Sequence, residues 1–185
     1  MIDDKAREAA REKVIRMCGV EPESIVDGPG FRYVVFVQGC SHHCPGCHNP
    51  ETWDPAEGYD ITVGEVFDQI KENPQLRGVT FSGGEPFEQV EALLELGKLI
   101  KDEGLSLMSY SGYTLEELRD RHDAATDELL SILDVLVDGR FIEAERNLTL
   151  LYRGSENQRV IDMNKTRETG EITLFHSGFD EEIII

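Results

Sequence analysis

The sequence has 185 residues, 39% of them apolar, which suits one folded domain. Its 18 basic and 37 acidic residues give a formal net charge of −19, which disfavours binding to the phosphate backbone of nucleic acids. No stretch approaches the roughly 20 apolar residues of a membrane-spanning helix, so we expect neither a nucleic acid nor a membrane as partner. Residues 1–16 lack the apolar segment of a secretory signal, which predicts a cytoplasmic location.

The N-terminal part of the chain is predicted to be helical. Charged residues mixed with alanine predict a helix over 4–17, and we assign residues 1–20 to an N-terminal helical extension of a core domain that spans 21–185. The apolar run over 31–37 follows a glycine-rich turn and predicts a buried strand. A loop with three cysteines begins at the end of this strand.

The rest of the chain alternates between helix and strand. Thr62, with Glu65 three positions later, predicts an N-cap and a helix to about Glu72. The further elements that we expect are strands over 78–81, 105–110, 134–138 and 171–176, helical stretches over 88–103 and 115–133, and an acidic, then apolar tail over 180–185. This alternation predicts an α/β fold with mostly parallel strands, in which the loops that follow the strands converge on one edge.

Three of the four cysteines, Cys40, Cys44 and Cys47, lie within eight residues. This arrangement cannot form a normal disulfide framework, and clustered thiols in a cytoplasmic chain indicate a metal. Thiolates are the usual ligands of a [4Fe-4S] cluster, and three of them leave one of its four irons open to another ligand. Cys18 is the spare thiol and lies on a different predicted element.

A structural zinc site is the alternative interpretation of the same loop. His42, His43 and His48 lie among or beside the cysteines, and zinc accepts three thiolates and one imidazole in tetrahedral geometry. Such a protein would be a zinc-stabilised interaction module without catalysis. The cysteine spacing favours the cluster but leaves the zinc site open.

A second motif, Gly83-Gly84-Glu85-Pro86, follows the predicted strand over 78–81. Taken alone, it is also typical of an ordinary turn that leads into a helix. In a functional interpretation, the two glycines lack Cβ atoms and therefore let a ligand approach the polar groups of the strand backbone.

The cysteine spacing followed by this motif resembles the radical S-adenosylmethionine superfamily, over roughly residues 24–165. Within it, the segments 27–32 and 47–53 resemble the activating enzymes of glycyl-radical enzymes. Segments 111–114, 137–141 and 153–162 are similar to the branch that activates anaerobic ribonucleoside-triphosphate reductase. The residue before the third cysteine is usually aromatic in the superfamily, whereas here it is Gly46, as in the narrower branch.

The resemblance implies an incomplete TIM-like β/α barrel and an oxidoreductase. Such an enzyme uses a [4Fe-4S] cluster to cleave S-adenosylmethionine to a 5′-deoxyadenosyl radical, which generates a glycyl radical on the reductase. A low-potential donor such as flavodoxin or ferredoxin would supply the electron, and no side-chain acid or base is required. The alternative protein substrate is another glycyl-radical enzyme such as pyruvate formate-lyase.

The resemblance also implies the site residues. The cluster ligands would be Cys40, Cys44 and Cys47. The residues that bind the cofactor would be Gly46, Cys47, His48, Gly83, Gly84, Glu85, Pro86 and Asp138.

Overall fold

The structure is a computed structural model that describes residues 4–176. The elements, in chain order, are α1 (Asp4–Arg11), β1 (Val14–Ser24), β2 (Arg32–Val37), β3 (Tyr59–Thr62), α2 (Val63–Lys71), β4 (Gly78–Gly83), α3 (Val90–Asp102), β5 (Ser106–Tyr110), α4 (Leu115–Arg119), α5 (Ala124–Ile132), β6 (Val135–Asp138), β7 (Arg159–Asp162) and α6 (Met163–Thr169). Short 3-10 helices span Pro50–Thr52, Pro86–Glu88 and Glu143–Glu145. Within 4–176, no helix combines the length and apolar character needed to cross a bilayer.

The seven strands form one sheet in the order β3-β1-β2-β4-β5-β6-β7. The four central strands, β2, β4, β5 and β6, are parallel to one another. β1, β3 and β7 are antiparallel to their neighbours and lie towards the two edges. The predicted α/β fold with a parallel core is therefore confirmed, and the open sheet makes it a partial barrel.

The central strands bury both of their faces. Val35 and Phe81 belong to the main hydrophobic core, which also contains apolar side chains of α2, α3 and α5. Their sequence neighbours Phe36 and Ser82 point to the opposite side and line a cavity. The side of the sheet that faces away from α2, α3 and α5 is therefore available for a site.

Arg32 joins three parallel strands at their amino ends. Its buried guanidinium donates to Thr80 Oγ1 at 2.7 Å, to Ser106 Oγ at 2.8 Å and to the Val79 carbonyl oxygen at 2.6 Å. Burial lowers its pKa to about 10, so the group is still charged at neutral pH. The arginine that ends the 27–32 segment thus stabilises the end of the barrel opposite the cysteine loop.

The predicted helix over 4–17 is wrong beyond Arg11. Residues Val14–Ser24 form β1, which pairs with both β2 and β3, and it buries Ile15 and Met17 in the main core. Pairing between strands far apart in sequence has overridden the local helical pattern. The predicted boundary between the N-terminal extension and the core domain, at residue 20, falls within β1 and stays a prediction.

Two other predicted elements are corrected in part. The helical stretch over 115–133 is two helices, because Asp123 accepts a hydrogen bond from Thr126 N and starts α5 as its N-cap. The segment 171–176 forms only an isolated bridge between Leu174 and Ile161, not a strand. The tail over 180–185 lies outside the described residues. By contrast, the capping box of Thr62 and Glu65 at the start of α2 is confirmed.

Candidate metal and cofactor site

A cavity of about 490 Å³ opens at the carboxyl ends of the four parallel strands. This volume is within the range of pockets that bind small molecules. Each loop that follows one of these strands contributes to its lining, through Cys40, Gly84, Ser111 and Gly139. The expectation that these loops converge on one edge is confirmed.

The three clustered cysteines all line this cavity, and each is partly buried and free of a disulfide. Burial raises the pKa of the Cys40 thiol to about 11, and it also raises the pKa of Cys44. Without a metal the thiols of Cys40 and Cys44 are therefore protonated, and metal binding has to displace these protons. Three soft sulfur donors in one cavity fit a [4Fe-4S] cluster, because each thiolate binds a different iron.

Backbone hydrogen bonds place the cysteine loop. Gly39 N donates to the Thr52 carbonyl oxygen at 2.7 Å, and Cys40 N donates to the Trp53 carbonyl oxygen at 3.1 Å. A tight turn follows, in which Cys47 N donates to the Cys44 carbonyl oxygen at 3.1 Å. The segment that ends at Trp53 thus folds back along the first ligand and fixes the start of the loop.

The backbone conformation of Gly46 favours glycine, and the Glu143 side chain lies beside it. The φ of Gly46, 72°, is in the left-handed region, and a Cβ there would lie 2.9 Å from Cδ of Glu143. The Glu143 side chain, from the segment after β6, therefore occupies the space beside the third cysteine. An aromatic side chain at position 46 would have to displace it.

Gly83 and Gly84 lie against the backbone that leads into the cysteine loop. Gly84 N donates to the Val37 carbonyl oxygen at 2.8 Å, and a Cβ on Gly84 would overlap the carbonyl oxygen of Gly39. Gly83 has a φ of 92°, and a Cβ there would lie 2.6 Å from Val37 N. Close backbone packing thus requires glycine at both positions. The approach of a ligand to these glycines stays a prediction.

Glu85 is buried, and four hydrogen bonds use both of its carboxylate oxygens. Oε1 accepts from Phe87 N at 2.9 Å and from Ser111 Oγ at 3.0 Å. Oε2 accepts from Gly112 N at 2.7 Å and lies 3.0 Å from His42 Nε2. The carboxylate therefore joins three loops of the site.

Each histidine considered as a zinc ligand contacts another group. The buried His42 ring is bonded to Glu85, His43 packs against Trp53 with ring centroids 4.9 Å apart, and His48 packs against Phe141 at 5.0 Å. Within residues 4–176, no three His, Cys, Asp or Glu side chains come close enough together for a single metal ion. The bond to Glu85 uses Nε2 of His42, which makes this histidine the least available of the three as a zinc ligand.

The structure places most of the predicted site residues together. Those that line the cavity are Cys40, Cys44, Cys47, His48, Gly83, Gly84 and Glu85. The other three predicted residues, Gly46, Pro86 and Asp138, are outside the lining. Each of them is next in sequence to a residue that lines the cavity. Asp138 is buried and paired with Arg159, so its role in cofactor binding stays a prediction.

Sequence reasoning missed several aromatic residues of the cavity. Phe36, Trp53 and Tyr152 contribute to its lining. The alternation along β2 is a signal for Phe36, because it must face away from Val35. Tyr152 lies in an irregular segment, where no periodic pattern indicates which side chains face inward.

Comparisons with known proteins identify the family. A model of the 4Fe-4S single cluster domain matches residues 26–161. The anaerobic ribonucleoside-triphosphate reductase-activating protein of Escherichia coli (strain K12) is 36% identical over 147 residues, which cover 75% of this chain and 93% of that protein. The protein of the same name from Vibrio cholerae is 38% identical over 145 residues, or 74% and 91% of the two chains.

The chain belongs to the anaerobic ribonucleoside-triphosphate reductase-activating protein family. The pyruvate formate-lyase-activating enzyme of Clostridium pasteurianum is 39% identical over 133 residues, which cover 67% of this chain but 55% of that enzyme. The crystal structure of QueE from Escherichia coli matches with a TM-score of 0.47 and 17% identity, over 60% of this chain and 58% of that one. Residues 26–161, which the family model matches, include every residue that we predict to bind the cluster or the cofactor.

Proposed function

We propose that this protein activates an anaerobic ribonucleoside-triphosphate reductase by generating a glycyl radical on it. The observation that carries the proposal is that the three clustered thiols and the Gly83-Gly84 backbone line one cavity, in a chain of this family. The cofactors are a [4Fe-4S] cluster and S-adenosylmethionine, which when bound supply the electron and the 5′-deoxyadenosyl radical that removes a hydrogen atom from a glycine Cα.

The protein's own part is to bind and orient these groups. Cys40, Cys44 and Cys47 would hold three irons of the cluster, which leaves one iron for a ligand from outside the protein. Cys18 does not complete this set, because it lies on β1 and is outside the cavity lining of the described chain. Gly84 and His48 would face S-adenosylmethionine, and no side chain has to act as an acid or base.

The mouth of the cavity suits a polypeptide substrate. Val26 and Leu148 line the cavity from two different loops, and 71% and 78% of their surfaces are exposed. A polypeptide bound at this cavity would cover both apolar side chains and remove them from water. A glycine is a suitable target because its Cα has no side chain to block approach, and its backbone can bend into a cavity.

We also propose that a flavodoxin or ferredoxin supplies the electron in the cytoplasm. Pro45, Gly46 and His48, around the second and third cysteines, are exposed, so a donor protein has direct access to the cysteine loop. A reducing compartment keeps these thiols free of disulfides. Anaerobic mixing with reduced flavodoxin or ferredoxin tests this step, because the visible absorption of the cluster decreases when it accepts an electron.

The reductase is favoured over pyruvate formate-lyase as the protein substrate. This chain covers 93% of the Escherichia coli reductase-activating protein but only 55% of the Clostridium pasteurianum enzyme. Nearly half of the latter enzyme therefore has no counterpart in the alignment with this chain.

The decisive experiment is anaerobic incubation of the protein with dithionite, S-adenosylmethionine and the reductase, followed by electron paramagnetic resonance. We expect a glycyl radical signal on the reductase, and none when Cys44→Ala replaces the wild-type protein. A parallel incubation with pyruvate formate-lyase tests the alternative. A signal on that enzyme and none on the reductase would overturn the proposal.

A further inference from the structure

Four groups from three loops form a largely buried hydrogen-bonded set, which we name the three-loop clasp: His42, Glu85, Ser111 and Gly112. We propose that the clasp sets the position of the cysteine loop relative to the end of β4, so that His42 and Glu85 are positioning residues for S-adenosylmethionine and not its ligands. This inference rests on the proposed function, because it concerns how the same cavity binds its cofactor.

The hydrogen-bonding capacity of Glu85 is already used within the protein. A carboxylate offers about four lone-pair sites, and the Glu85 oxygens accept two bonds each. A further bond to a ligand amine would have to replace one of these bonds. Glu85 therefore acts through the groups that it holds, although it lies in the motif that we predicted to bind the cofactor.

His42 transmits this constraint to the cluster ligands. It lies two residues after Cys40 and two before Cys44, so a fixed imidazole restricts the backbone that carries both thiols. Because a carboxylate oxygen can only accept, the bond requires a proton on His42 Nε2. Only 3% of the His42 side chain is exposed, so water cannot readily replace its partner.

The segment after β5 is shaped to receive the His42 ring. A Cβ on Gly112 would overlap the imidazole, and the Tyr113 ring meets His42 edge-on with centroids 4.3 Å apart. The Arg121 guanidinium lies over the Tyr113 ring at 4.1 Å from its centroid, and it donates to the Phe87 carbonyl oxygen at 3.0 Å. The proposed function assigns no role to the polar segment 111–114. Its Gly112 and Tyr113 form the surface against which the His42 ring packs.

A second connection completes the arrangement. Glu85 N donates to the Gly39 carbonyl oxygen at 2.8 Å, directly before the first cysteine. The segment that follows β4 is therefore attached to the cysteine loop at Gly39 and His42, and the exposed Glu88 adds an attachment at Ser41. The attachment at His42 is the one whose side chains are buried, so its loss would let the thiols shift relative to the Gly84 backbone.

The test compares the affinity for S-adenosylmethionine per loaded cluster in four variants, His42→Ala, Ser111→Ala, Gly112→Ala and Glu85→Gln. We expect each variant to bind about 10- to 100-fold more weakly than wild type, as is typical when a group that orients ligands is removed. Iron and sulfide analysis is run on each sample, and we expect cluster content to be retained because all three thiols remain. Weaker binding in Glu85→Gln alone would make Glu85 a direct ligand and overturn the inference, as would unchanged affinity in all four.

Conservative and surface variants complete the comparison. His42→Gln keeps an amide that can donate to Glu85, so we expect it to recover part of the lost affinity. Gly112→Ala leaves every polar group in place, and the φ of Gly112 is outside the left-handed region. A loss of affinity in this variant therefore reports displacement of the His42 ring by the added Cβ. Glu91→Gln and His122→Ala, at exposed positions outside the cavity lining, are controls for which we expect wild-type affinity.

A measurement without cofactors separates this inference from the proposed function. Melting temperatures of the metal-free protein are compared for His42→Ala, Glu85→Gln and the double variant. We expect the double variant to lose less than the sum of the two single losses, because both changes break the bond between His42 and Glu85. Additive losses would overturn the clasp. Failure of wild type to bind S-adenosylmethionine would overturn the proposed function instead.

Discussion

Arg159 and Asp138 form a two-bond ion pair, in which Nε donates to Oδ1 at 2.9 Å and Nη2 donates to Oδ2 at 2.5 Å. Asp138 also accepts from Leu115 N at 2.7 Å, which anchors the start of α4. In the same polar segment, Gln158 Nε2 donates to the Gly139 carbonyl oxygen at 3.0 Å. The segment 153–162 therefore fastens β7 to the carboxyl end of β6, at the edge of the cavity.

We expect Asp138→Asn to lower the free energy of unfolding by about 2–3 kcal/mol. Asparagine at this buried position removes the charge that pairs with Arg159, and the remaining Glu116 contact and the 31% exposure of the Arg159 side chain reduce this cost. Urea unfolding of the metal-free protein measures the change. A loss below about 0.5 kcal/mol would contradict a structural role for this pair.

Glu116 makes a second, more exposed contact with the same arginine, and it should give a pH-dependent contribution to stability. The hydrogen bond from Arg159 lowers the pKa of Glu116 to about 2, from an ordinary value of 4.5. Because the pKa is lower in the folded state, the contact stabilises the fold above about pH 4.5 and loses this effect as the pH falls towards 2.

The Glu116→Gln variant tests this pH dependence. Since 54% of the Glu116 side chain is exposed, we expect a loss of under about 1 kcal/mol at pH 7, and a smaller loss at pH 3. Urea unfolding at both pH values measures it, with Glu168→Gln on the exposed face of α6 as a control. A loss of unfolding free energy that is larger at pH 3 than at pH 7 would contradict this account of the contact.

Gly84→Ala should destabilise the protein even without cofactors. The added Cβ would overlap the Gly39 carbonyl oxygen, and backbone cannot move aside as easily as a flexible side chain. We expect a loss of about 1–3 kcal/mol, as for other overpacked sites. Gly19→Ala on β1 is the matched control, because a Cβ there meets nothing within 4 Å. Equal stability of the two variants would show that close packing does not require glycine at position 84.

Replacement of each cysteine by alanine should separate the cluster ligands from Cys18. We expect Cys40→Ala, Cys44→Ala and Cys47→Ala to lose most of the bound iron, because each removes a thiolate from the cavity. Cys18→Ala should keep wild-type iron content. Iron and sulfide analysis after anaerobic reconstitution gives the result, and a loss of iron in Cys18→Ala would show that the ligand set is incomplete.

Local signals in the sequence predicted local structure well. The Thr62–Glu65 capping box is formed within four residues, and it correctly placed the start of α2. The error over 14–17 arose because the partners of β1 are β2 and β3, the latter more than forty residues away. A pattern of charged residues and alanine carries no information about such pairing.

The site was predictable in outline because parallel strands bring their carboxyl ends to one edge. That rule placed the cysteine loop and Gly84 together without any distance information. The contacts that give each residue its role were not predictable in this way. The bond from Glu85 to His42 spans 43 residues, and the approach of Glu143 to Gly46 depends on a loop with no periodic pattern.

The central claim is that three thiolates hold a cluster with one iron left for S-adenosylmethionine. Electron paramagnetic resonance of the dithionite-reduced protein, recorded with and without S-adenosylmethionine, tests it most directly. We predict a [4Fe-4S]⁺ signal whose shape changes when S-adenosylmethionine is added, in protein that carries about four irons per chain. A signal that the compound leaves unchanged, or a protein loaded with zinc and no iron after anaerobic purification, would contradict the account.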